Sequence, residues 1–142
     1  MSGKEGQAMK KEEIITAFIV LAIIIAELLS QKFTRNVAKE MEDKMENINN
    51  EILAIVDEKN KGKEQEISQR TKELYDEWEK KTDTLAFYID HSELEKINVQ
   101  LNKVIGYLEI GMPDEATVEM KEGIFEMEHI KLKQQLCLKN IF

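Results

Sequence analysis

The chain has 142 residues, 42% hydrophobic, 34% charged and 6% aromatic, with one proline, six glycines, one cysteine and a formal net charge of −8. A chain of this length is normally one domain, and so few prolines, glycines and aromatics exclude a many-turned β-sandwich or a disordered linker. Glu, Lys, Leu, Ile and Met dominate, which is the composition of long amphipathic helices.

The first element in chain order is an apolar run from Ile14 to Ala26, with Thr16 its one polar member, extended past Glu27 by Leu28 and Leu29. At 1.5 Å per residue the run covers about 20 Å, or about 24 Å to Leu29, against about 30 Å of hydrocarbon. Lys10, Lys11, Lys32 and Arg35 can snorkel to the two interfaces and Phe33 can lie among headgroups. A membrane anchor over 10–33 is therefore predicted, after a short tail, 1–9. A cleaved signal peptide is disfavoured because Ala26-Glu27-Leu28-Leu29-Ser30-Gln31 offers no small-x-small cleavage site. A buried helix of a soluble protein is disfavoured because the remaining chain is too charged to wrap it on every side. Lys4, Lys10 and Lys11 precede the span, while Lys32, Arg35, Lys39 and Lys44 follow it, so the positive-inside rule does not orient it. A short tail before an uncleaved signal-like segment usually stays inside, which puts the bulk of the chain outside the cytoplasm. Glu27 is expected at an interface, since a carboxylate deep in hydrocarbon is costly.

Residues 30–142 carry 17 basic and 24 acidic side chains, net −7. That balance argues against nucleic acid and anionic lipid surfaces as partners, both of which call for clustered Lys and Arg. Phe33, Val37, Met41, Met45, Ile48, Ile52, Ile55 and Val56 recur at steps of three and four and predict a helix running straight on from the membrane. Its seam from Met41 to Ile55 is shorter than a coiled coil needs. The stripe lapses over Asp57–Lys63, where Asn60 and Gly62 mark a turn. A second stripe, Ile67, Leu74, Trp78, Leu85 and Tyr88, with Tyr75 and Ile89 beside it, ends at Ile89-Asp90-His91-Ser92. Ser92-Glu93-Leu94-Glu95 fits a capping box. A third helix follows with Leu94, Ile97, Leu101, Val104, Ile105 and Leu108. Gly111 stops it and Pro113-Asp114-Glu115 opens a fourth. The last helix places Ala116, Met120, Ile124, Met127, Ile130, Cys137, Leu138 and Ile141 on one broad face. Short connections make such helices antiparallel neighbours. The predicted fold is all-α: a transmembrane helix continuing into a three- or four-helix up-and-down bundle over 34–142.

Trp78, Ile89-Asp90-His91-Ser92-Glu93, His129-Ile130 and Asn140-Ile141-Phe142 form an ordered set. On these residues, from about Met9 onward, the chain resembles an uncharacterised family of small single-pass membrane proteins of spore-forming anaerobic bacteria, catalogued as domain of unknown function 4363. In that family the residue after the turn's Glu is commonly Ile followed by Asp, where this chain has Leu94 and Glu95. The resemblance implies a tethered helical domain in a bacterial cell membrane and an accessory role, with no established activity.

His91 and His129 are the two histidines, so metal or general-base chemistry would have to use them. With Asp90, Glu93 and Glu128 they could supply the nitrogen and oxygen donors that suit zinc, although the spacing matches no standard zinc pattern. The plainer reading is that Asp90 and His91 serve backbone groups at a turn and His129 edges the core. Trp78, Tyr75 and Tyr88 are expected in the core rather than in a pocket. Cys137 is expected to be an inert thiol on an apolar face. With no phosphate loop, nucleophile motif or paired carboxylates, no enzymatic activity and no cofactor are expected. The favoured reading is a membrane-anchored accessory protein that binds a partner membrane protein, and the alternative is a metal or small-ligand sensor built on Asp90, His91, Glu93 and His129.

Overall fold

A computed structural model describes residues 10–57 and 62–139, with side chains described as far as Gln134. The chain is all-α. Among the described residues there are four helices, α1 Lys11–Val56, α2 Glu64–Leu85, α3 His91–Glu109 and α4 Pro113–Lys139, and no strand. At 1.5 Å per residue α1 is about 69 Å long and α2 about 33 Å, so roughly half of α1 runs beyond the bundle.

The helices pack as a ring, α1 on α2, α2 on α3, α3 on α4 and α4 back on α1, the last pair being the most extensive. Short turns between successive helices make this an up-and-down four-helix bundle. Its core takes Met41, Met45, Ile48, Ile52 and Ile55 from α1 and Ile67, Leu74, Trp78 and Leu85 from α2. From α3 come Leu94, Ile97, Leu101, Val104 and Leu108, and from α4 Ala116, Met120, Met127 and Ile130. The three- and four-residue spacing of each set is what turns one face of each helix inward.

Two glycines stand where the backbone turns or comes close to a neighbour. Gly111 has φ +74°, its amide bonds to the Leu108 carbonyl and the Met112 amide bonds to the Tyr107 carbonyl. That pair closes α3 as a Schellman motif, and Pro113 then opens α4, where a missing N–H costs nothing. Gly123 lets α4 approach α1: a Cβ there would lie 2.6 Å from the Met45 methyl and 3.4 Å from Cβ of Gln100.

Three expectations are corrected. Helix α2 ends at Leu85 rather than Ile89, and a turn of successive amide-to-carbonyl bonds, Tyr88 and Ile89 both to Leu85, carries the chain to α3. In that turn Ile89 faces the core and Tyr88 is 48% exposed. Phe33, assigned by spacing to the inner stripe, is 43% exposed, while its neighbours Gln31 and Thr34 are buried. Of the final-helix face, Cys137 and Leu138 have side chains outside the described residues, and Ile141, like the terminal Asn140-Ile141-Phe142 motif, is outside them altogether. The same holds for the tail 1–9 and for Asn60 in the first turn.

Candidate functional site

The turn joining α2 to α3 gathers three of the four residues singled out above. Asp90 is the residue that caps α3: its Oδ1 accepts from the Ser92 amide at 2.8 Å and from the Ser92 hydroxyl at 2.6 Å. The Ser92 hydroxyl, then its amide, hold the Asp90 carboxyl below its ordinary value. The expected Ser92–Glu95 capping box is thereby replaced, because α3 begins at His91, which puts Asp90 at the N-cap and Ser92 inside the first turn, where its own amide is the orphan donor. Glu95 lies instead 3.3 Å from Nε2 of His91, whose side chain is 84% exposed. Glu93 accepts from Lys133 Nζ at 2.7 Å and ties α3 to α4. His129 and Glu128 are exposed on α4. Among the described residues, no group of three or more His, Cys, Asp and Glu side chains is arranged to hold a metal ion.

A second polar assembly lines the α1–α2 seam and was not read from the sequence. Lys44 Nζ donates to both Glu77 oxygens at 2.6 and 2.7 Å and to Glu40 at 2.8 Å. Lys81 reaches Glu40 at 3.1 Å and Glu77 at 2.9 Å, and Arg70 pairs with Glu51. The hydrogen bonds from Lys44 and Lys81 draw Glu40 down from 4.5 to about 2 and lower Glu77, while the same bonds to Glu40 and Glu77 raise Lys44. A cavity of about 220 Å³ opens beside these pairs, floored by Ile48 and Leu74. Each cation in it already faces a carboxylate, so the seam clamps two helices. The only trace of it in the sequence is the four-residue spacing of Glu40 with Lys44 and of Glu77 with Lys81.

Trp78 is fully buried and belongs to the core, and its Nε1 has no hydrogen-bond partner among the described residues. Glu27 Oε1 accepts from the Gln31 side-chain Nε2 at 2.9 Å, one turn before the bundle begins.

The largest apolar surface lies at the other end of α1. From Ile14 to Ile25 every large apolar side chain is exposed, and Leu29 with them. Burial begins at Ser30. Among the described residues, α1 is the one helix long and apolar enough to cross a membrane.

Fold and surface together define a class: a four-helix bundle carried on one long helix with an uncovered apolar arm. Within that class the chain belongs to the family described as Domain of unknown function (DUF4363), whose model matches residues 28–141. The match starts where the bundle starts, later than the Met9 onset expected from the motifs, and leaves Ile14–Ala26 outside it. No curated protein and no solved structure matches the chain.

Proposed function

We propose that the protein is a single-pass, membrane-anchored helical bundle that acts as an accessory to a partner membrane protein, without catalysis of its own and without binding nucleic acid. The observation that supports the anchor is the exposure of Ile14–Ile25 on all faces of a helix whose continuation is buried along one stripe. A segment apolar all round is stable where its surroundings are as apolar as it is. The same unbroken helix links the segment to the bundle, so a partner in the bilayer would meet the bundle at a fixed distance. The outward face of α4 carries exposed Val118, Phe125 and Leu132 at seven-residue steps, one side of a helix, which is where contact is most economically made. The bundle is read as extracytoplasmic in a bacterial cell.

Alkaline carbonate extraction of native membranes tests the anchor, and recovery of the chain in the supernatant would remove it. Cysteine labelling at Lys63→Cys in intact cells tests the side. A photo-crosslinking side chain at Phe125 should give a discrete product that the same probe at Asp76 on α2 does not, and equal outcomes at both would remove the partner. The sensor reading gains no support from Asp90, His91 or Glu93, each of which already has a partner in the chain.

A further inference from the structure

We infer that the α2–α3 turn is a second, superficial membrane contact: the rings of Phe87 and Tyr88 enter the headgroup layer of the bilayer that α1 crosses, seating the bundle on the membrane. The inference rests on reading Ile14–Leu29 as a span.

The ion pairs of α1 and α2 fix the level of the turn. Arg70 pairs with Glu51, Lys44 with Glu77 and Lys81 with Glu40, so one helix descends as the other climbs in constant register. Seven residues beyond Lys81 is Tyr88, and seven before Glu40 is Phe33. The turn thus stands beside Phe33, four residues from the last exposed apolar residue of the arm, Leu29. At that level Phe87 is 83% exposed and its ring centroid lies 6.4 Å from that of Tyr88, tilted 59°. Both rings face away from the core while Ile89 pins the turn to it. Phe33 is also turned outward, with polar Gln31 and Thr34 turned inward, the reverse of what water would select. A ring with one polar edge, as Tyr88 has, favours the boundary between headgroups and chains, and Phe87 beside it adds exposed apolar area.

The charges agree. Lys32, Arg35 and Lys39, on α1 near the same level, make no ion pair among the described residues, while Lys133 beside the turn is paired with Glu93. Asp83 and Asp90 border the turn, so the contact is apolar and needs no anionic lipid. Continuity with the span selects the bilayer over a second copy or a soluble protein as the occupant.

The test uses the full chain with Cys137→Ser, reconstituted in phosphatidylcholine vesicles, with a nitroxide at Ile19→Cys, Tyr88→Cys or Lys63→Cys. Collision with a water-soluble nickel chelate should be lowest at position 19, several-fold reduced at 88 and full at 63. Full collision at 88 with protection at 19 would overturn the seat and leave the span. Full collision at 19 would overturn both. Protection at 88 that disappears as the protein is diluted in lipid would assign the turn to a second copy and overturn the seat. As an independent measurement without the label, Phe87→Trp should gain emission that brominated phosphatidylcholine quenches while buried Trp78 keeps its own, and no added quenching would again overturn it.

Discussion

The two halves of α1 obey different rules within one uninterrupted helix. From Ser30 to Val56 apolar residues recur at three and four, and that stripe is buried while Glu40, Asp43 and Glu46 face water. From Ile14 to Leu29 there is no stripe, because nearly every position is apolar, and no described residue buries the large side chains there, Leu28 being half-buried. Periodicity reports how many sides of a helix are meant to be covered, and the composition of the surrounding chain reports what is left to cover them. At the joint the pattern inverts, with Thr34 buried and Phe33 outside, a local reversal that a single hydrophobic average conceals.

Substitutions that act on one half and spare the other would break or sharpen this contrast. The largest effect is expected from Trp78→Ala, which removes the bulkiest fully buried side chain and should cost about 3–5 kcal/mol. Thermal unfolding in detergent should lose its cooperative transition while carbonate extraction stays unchanged. Ile23→Lys should do the opposite. A lysine at the centre of a span costs about 2.5–3.5 kcal/mol of insertion, so the chain should move into the carbonate-soluble fraction with an unaltered bundle melt. A lowered melt for Ile23→Lys would mean that the arm is covered by protein. Smaller again is Asp90→Ala, which removes the α3 cap and should cost about 1 kcal/mol, read by urea unfolding. His91→Ala beside it should stay within about 0.5 kcal/mol, as for an exposed surface side chain.

Much of the bundle is legible in the sequence because local rules suffice for it. The inner stripes of α3 and α4, the stop at Gly111 and the start at Pro113 depend only on spacing and backbone chemistry. Spacing points Phe33 and Tyr88 inward because it gives a direction around the helix, and it says nothing of where the neighbouring helices end. The cap went to Ser92 rather than Asp90 because both are good N-caps two residues apart, and the choice depends on where the α2 turn delivers the chain. The Lys44–Glu77 and Lys81–Glu40 pairs require the register of two antiparallel helices, which no local pattern encodes. The histidines, the two residues of their kind, lie exposed at His91 and His129; rarity in a sequence carries no information about burial or partners, and the structure concentrates its polar contacts elsewhere.

A small effect of the α1–α2 seam separates the two halves by pH. Glu40 falls from 4.5 to about 2 on folding, so its ion pairs stabilise the bundle fully above about pH 4.5 and lose that contribution as pH drops toward 2. Lys44 is raised above its ordinary 10.5, so its own contribution is complete below 10.5 and fades only at higher pH. Between these limits the seam is at constant strength. Glu40→Gln should therefore cost a fixed increment at neutral pH, about 0.2–1 kcal/mol because Glu40 is half exposed and water screens the pairs. The gap between wild type and variant should close as pH falls from 4.5 to 2, measured by urea unfolding at each pH. Raised salt should narrow it at pH 7 as well, since the Debye length shrinks to about 3 Å at 1 M. Retention in the membrane should not change along either titration, because the apolar arm from Ile14 to Ala26 contains no group that gains or loses a proton.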